Sequence, residues 1–158
     1  NKKYKKRTEE KVTANTKFEE KVALLKYYPG ASPDILDYFI EKKYKGIVIE
    51  TTGLGHVAVK ESKYNWLPTI KKAINAGLTI CAAPQTLYGK LNPLVYSTGR
   101  EISKLGVIYL EDILPETAYI KLGHVLGNTK DSKEIKNQML TNLSNEFNDR
   151  LTEDSFLY

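Results

Sequence analysis

Four short apolar runs, spaced along the chain with helical patterns between them, constrain its fold most. They cover residues 21–28 (Lys-Val-Ala-Leu-Leu-Lys-Tyr-Tyr), 46–50 (Gly-Ile-Val-Ile-Glu), 78–82 (Leu-Thr-Ile-Cys-Ala) and 107–110 (Val-Ile-Tyr-Leu). Each is too short for a buried helix and is rich in β-branched or aromatic residues, so each reads as a strand. The first is apolar on both faces in its middle, as suits a strand covered from two sides. After it, Pro29-Gly30 turns the chain and Ser32-Pro33-Asp34 starts a helix with the stripe Ile35, Leu36, Phe39 and Ile40. A second helix opens at Trp66, carries Leu67, Ile70, Ala73 and Ile74, and stops at Gly77. Thr98-Gly99-Arg100-Glu101 reads as a capping box starting a short helix that Gly106 closes. Beyond the fourth run, Pro115-Glu116 opens a helix with Ala118, Tyr119, Leu122, Val125 and Leu126 inward, ending at Gly127-Asn128. A last helix over 132–140 uses Ile135 and Met139.

The order is therefore β-α-β-α-β-α-β-α-α. Helical crossovers between consecutive strands force those strands to run parallel, with helices covering both faces. The prediction is one α/β domain: three layers, with a four-stranded parallel sheet flanked by helices. The 158 residues suit a single such core.

Composition narrows the class. No apolar run approaches the ~20 residues of a membrane helix, so no membrane contact is expected. The single Cys81 rules out an internal disulfide framework, and no signal peptide is visible, so a cytoplasmic setting fits. Cys81 sits in an apolar strand, where a small buried thiol is the expected role. One Cys and two distant His leave no metal-ligand cluster. Net charge is +5, and five positive charges fall within residues 1–7; the other 19 basic residues balance the 19 acidic ones. A basic end of this kind serves as a nucleic-acid arm or, more commonly, as a solvated tail. Residues 8–20 are polar and read as a linker. The chain opens on Asn1, not Met, so a preceding part is expected.

The loop Thr52-Gly53-Leu54-Gly55-His56 follows the second strand, where α/β sheets bind ligands. Its glycines would let a guest approach the backbone and offer free N–H groups. The third glycine of a dinucleotide fingerprint is absent, so a ligand-free tight turn is the competing reading.

Several blocks in order resemble one known family. They are 18–24 (Phe-Glu-Glu-Lys-Val-Ala-Leu), Tyr28-Pro29-Gly30, 45–50, the 52–56 loop, and 96–101 (Tyr-Ser-Thr-Gly-Arg-Glu). Together they resemble the C-terminal lobe of the bacterial-type asparaginase family. Leu114-Pro115-Glu116-Thr117-Ala118 and the ending at Met139-Leu140-Thr141-Asn142 look most like the branch formed by the D subunits of archaeal glutamyl-tRNA(Gln) amidotransferases. The resemblance spans about residues 4–148. It implies that residues 1–20 are the end of a preceding lobe plus a linker, and that 21–158 form an asparaginase-like C-terminal α/β domain. It implies further that the nucleophilic threonine machinery lies in that preceding lobe, leaving no catalytic residue here and an inactive chain in isolation. This lobe would complete the active site of a neighbouring protomer in a homodimer. ATP and Mg would be used by a partner, the E subunit of the amidotransferase, with tRNA engaged through the whole complex. No cofactor would be bound by this chain.

On that resemblance the candidate substrate-binding residues are Gly53, Gly55, His56 and Tyr96, with Gln85 and Tyr88 as weaker ones. His56 stands where well-known bacterial asparaginases place an asparagine; either side chain offers a hydrogen bond to a carboxylate or amide, and a histidine can also carry charge near neutral pH. Thr51-Thr52 belong to the loop before the glycines and are not expected to be nucleophiles. Satisfied loop groups at Gln85 and Tyr88, packing at His124, core filling at Trp66 and a capping role for Glu101 are the plainer expectations. Two alternatives stand beside the amidotransferase reading: a free cytoplasmic asparaginase, and a non-catalytic module that binds an amide or carboxylate.

Overall fold

The computed structural model describes residues 6–153. Most of the basic segment at residues 1–7, and residues 154–158, lie outside the described residues. Nine elements follow in the order β1 (Val22–Lys26), α1 (Ile35–Glu41), β2 (Gly46–Thr51), α2 (Leu67–Asn75), β3 (Thr79–Pro84), α3 (Ser97–Lys104), β4 (Ile108–Tyr109), α4 (Pro115–Asn128) and α5 (Ser132–Leu140). The strands form one parallel sheet, as the alternating pattern predicts, and the structure sets them in the order β1-β2-β3-β4.

The two faces are covered by different helices. With strands in sequential order, crossovers of one hand leave every connecting helix on the same side. Leu36 of α1, Ile70 and Ala73 of α2 and Ile102 of α3 accordingly pack with Ile47, Ile49, Ile80 and Ala82. Only the helices beyond the last strand reach the other side. Ala118, Leu122 and Val125 of α4, with Ile135 and Met139 of α5, cover Val48, Cys81 and Ala83. The period of two thus sends neighbouring residues of β2 and β3 into separate cores, and both strands are buried almost throughout. Each fully buried Ile or Leu contributes about 1.5–3 kcal/mol.

Differences from the sequence expectation concern edges and ends. β1 is an edge strand, and α4 covers its start at Val22 while Leu24 on the same face stays 36% exposed. It is therefore not covered along its length. α1 starts at Ile35; the Ser32 hydroxyl accepts from the Asp34 amide at 3.3 Å in a preceding turn, and Ile35 points outward. The capping box at Thr98 does not form. α3 begins at Ser97 after an extended Tyr96, and no side chain caps it. A Cβ at Gly99 would press on the Pro93 backbone, so this close contact sets the start of the helix. Trp66 is fully buried, as expected, and its indole donates to the Ala31 carbonyl at 3.1 Å.

The linker is docked over its last residues. The Phe18 ring occupies the space a side chain on Gly123 would need, the Phe18 backbone lies over Gly127, and the Glu19 amide donates to the Gly123 carbonyl at 2.9 Å. Gly46 similarly lets α4 close on the sheet: a Cβ there would lie 2.7 Å from Leu126 and 2.8 Å from Leu122.

Candidate functional site

The 52–56 loop leaves the carboxyl end of β2, a sheet position that commonly binds ligands. It closes on itself. Thr52 and His56 form a bridge, the Thr52 amide donating to the His56 carbonyl at 3.0 Å. The Gly55 and His56 amides both donate back to the Thr52 carbonyl, at 3.0 and 2.8 Å. Those two N–H groups are thereby occupied within the turn. Gly53 and Gly55 have φ of +50° and +105°, backbone states that favour glycine. Gly55 carries a second constraint, because a Cβ there would overlap the Tyr109 ring. The Tyr109 hydroxyl meanwhile donates to the Gly55 carbonyl at 2.9 Å, and burial holds its phenol pKa well above the usual value. Gly55 thus sets the shape of the turn, while Gly53 lies on its exposed side.

This turn presents His56 to Tyr96, the residue just ahead of α3. Their ring centroids are 5.4 Å apart with planes at 65°, an edge-to-face contact across a sequence gap of 40 residues. The structure therefore brings together Gly53, Gly55, His56 and Tyr96. His56 Nε2 is covered by protein and has no hydrogen-bond partner. Its Nδ1 lies towards Gly53, where a Cβ would come within 3.7 Å. Burial lowers the imidazole pKa, so the neutral ring, one donor and one acceptor, is the form near pH 7. The charged form foreseen as an option near neutrality is disfavoured for that reason.

The weaker candidates separate. The Gln85 side-chain amide donates to the carbonyls of Tyr27 and, at 2.9 Å, of Glu50, tying together the ends of β1 and β2. Tyr88 is 37% exposed on the loop after β3. The hydroxyl of Thr51 donates to the Ala83 carbonyl and that of Thr52 to the His56 carbonyl, both at 3.0 Å, so each hydroxyl proton is engaged by backbone. Cys81 is fully buried, and that burial pushes its thiol up to about 12, against a smaller opposing pull from Lys121. Glu101 is no cap partner; one oxygen pairs with Lys60 at 3.0 Å and the other is covered without a partner. Among the described residues no group of three or more His, Cys, Asp or Glu is placed to hold a metal, and no helix is long and apolar enough to cross a membrane.

Three contributors escaped the sequence reading. Tyr109 braces the glycine turn. The Asn92 amide donates to the Leu54 carbonyl at 3.1 Å, joining the loop before α3 to the 52–56 loop. Lys90 anchors the start of that loop through Glu111 at 2.8 Å. A cleft of about 570 Å³ runs beside these residues, with Leu54, Leu91, Pro93 and Tyr109 in its wall.

A parallel four-stranded α/β lobe with its polar and aromatic groups on the carboxyl crest is the class these features define. Residues 21–139 match the Glutaminase/Asparaginase C-terminal domain, and the chain belongs to that family. It is 49% identical over 154 residues, 98% of its length, to the D subunit of the glutamyl-tRNA(Gln) amidotransferase of Thermococcus kodakarensis, and 43% identical over 157 residues, 99% of its length, to that of Methanobrevibacter smithii. It spans about a third of the length of these relatives, 34% and 35%. Among solved structures, the thermostable L-asparaginase of Thermococcus kodakarensis superposes with a TM-score of 0.82 at 26% identity, covering 93% of this chain and 44% of that one. L-asparaginase I of Vibrio cholerae does so with a TM-score of 0.70 at 26% identity, covering 81% of this chain and 38% of that one.

Proposed function

We propose that this chain is the C-terminal part of the D subunit of a glutamyl-tRNA(Gln) amidotransferase. One contrast carries the reading: within a single organism, Thermococcus kodakarensis, identity is 49% to the amidotransferase protein but 26% to the asparaginase. The complete protein releases ammonia from glutamine or asparagine, with the attacking threonine in a preceding lobe. The E subunit then uses ATP and Mg to pass that ammonia to Glu-tRNA(Gln), with tRNA engaged through the whole complex in the cytoplasm. This chain itself binds no cofactor and is inactive alone.

Its part is to complete the active site of a neighbouring copy in a homodimer. His56 offers a neutral hydrogen-bonding group to the substrate, beside the bare backbone of Gly53 and the ring of Tyr96; Gly55 keeps the turn in shape. The exposed apolar residues Leu94 (72%), Val95 (51%) and Tyr96 (57%) support a protein-facing surface at this crest. Gln85 acts as a strand tie, with Tyr88 at the periphery. The test is ammonia release by the full-length protein, with and without the E subunit and Glu-tRNA(Gln). Activity coupled to that partner and its tRNA supports the amidotransferase reading; efficient, partner-independent asparagine hydrolysis overturns it in favour of a free asparaginase.

A further inference from the structure

The residues after α5 form a strap from α4 past the residues following β4 to the loop after β3. Its anchor is a buried ion pair: Lys121 of α4 meets Glu146 at 2.7 Å, with both side chains only 5% exposed. The Lys121 ammonium also donates to the Thr141 carbonyl at 2.5 Å and lies 4.5 Å from the centre of the Phe147 ring. Two residues on, the Asn148 amide and side chain both donate to the Asp112 carboxylate, at 3.2 and 2.8 Å. A segment with no regular structure is thus fixed at two points.

What it grips is Lys90. The Lys90 ammonium donates to the backbone carbonyls of Asn148 and, at 3.4 Å, Asp149, as well as to the Glu111 carboxylate. An ammonium with three acceptors in hand has a defined position. The next two residues then make the cross-links that place the site loop: Leu91 N–H to the Glu111 carbonyl at 2.9 Å, and Asn92 N–H to the Leu54 carbonyl at 3.1 Å. Tyr96 lies four residues beyond Asn92, and the Pro93 backbone between them is held against Gly99.

We infer that Lys90 is a positioning residue: gripped by the strap at residues 141–151, it holds the loop that sets Tyr96 against His56. The consequence for substrate binding rests on the amide-site reading above; the geometry does not.

The test uses proton NMR of the 158-residue chain, reading the ring-current shift that Tyr96 imposes on the His56 Cε1 proton. Tyr96→Leu gives the value without the contact. Lys90→Met, which keeps most of the stem and removes the donors, is expected to move the His56 signal at least halfway to that value. Lys90→Arg, which restores donors, is expected to bring it back. A chain ending at Phe147 keeps the Lys121–Glu146 pair but loses both carbonyls, and is expected to match Lys90→Met. A His56 signal that stays at its wild-type position in a folded Lys90→Met chain overturns the inference. Should that variant not fold, the chain ending at Phe147 decides by the same criterion. The readout needs no substrate, so its failure leaves the amide-site reading standing, and the reverse also holds.

Discussion

The imidazole of His56 lies edge-to-face with the phenol ring of Tyr96, their centroids 5.4 Å apart, because a self-closed glycine turn and the start of α3 meet at the crest of the sheet. Burial there disfavours the charged imidazole. We predict that His56 titrates below 6.5 in the folded chain, read by the NMR shift of its Cε1 proton. The sign for stability follows. As pH falls through 6.5 the unfolded chain takes up the proton first, so His56 withdraws stability on the acid side. His56→Asn is expected to remove that component, and a midpoint at or above 6.5 contradicts this account.

The two turn glycines are expected to differ. Gly53→Ala meets nothing closer than His56 Nδ1 at 3.7 Å and pays only for left-handed backbone, about 1–2 kcal/mol. Gly55→Ala adds a collision with Tyr109 and should cost clearly more, seen as a lower midpoint in urea unfolding. Equal losses would mean that Tyr109 does not brace the turn.

Glu146 and Lys121 supply an acid-sensitive clasp. Burial raises the Glu146 carboxyl, but hydrogen bonds from Lys121 and from the amides of Leu143 and Ser144 outweigh it and leave the group at about 2. A carboxylate with a lowered pKa stabilises fully above its unfolded value of 4.5, and that contribution disappears as pH falls through about 2. Unfolding of Glu146→Gln should therefore lie well below wild type at about pH 6, by about 3–5 kcal/mol for a buried pair losing one partner. The gap should narrow between pH 4.5 and about 2. A gap independent of pH would contradict the pairing.

Gln85→Ala leaves the Tyr27 carbonyl without its side-chain donor and the Glu50 carbonyl with only the Tyr27 amide, which donates at 3.0 Å. A loss of about 1–3 kcal/mol is expected, with substrate affinity of the full-length protein unchanged. Weakened affinity at normal stability would instead make Gln85 a substrate ligand.

Much of this architecture is legible in the chain, because β2 and β3 are buried on both faces and write that burial as unbroken apolar runs. The crest pair was reachable only through the resemblance: His56 and Tyr96 lie 40 residues apart and neither belongs to a periodic pattern. Where local signals competed with distant partners, the distant partners won. Glu101 has the spacing of a cap yet pairs with Lys60, and Pro93 against Gly99 places the start of α3. The strap was invisible because its polar residues look like a tail until Lys121 is seen to need a buried carboxylate. One signal was available: Lys121 lies between Ala118, Leu122 and Val125 on the inward face of α4. For the docked linker the signal was Gly123 and Gly127, four residues apart, marking a groove that takes Phe18.

The most direct test of the central claim is glutamine-dependent ammonia release by the full-length protein bearing His56→Ala or His56→Asn, beside the 158-residue chain alone. Loss of one hydrogen bond to a charged substrate group should lower kcat/KM about tenfold or more in His56→Ala. His56→Asn should retain most of the wild-type value, and the isolated chain should release no ammonia. Wild-type kinetics in His56→Ala, or ammonia from the chain alone, would contradict the assignment of this lobe as the non-nucleophilic half of a shared amide site.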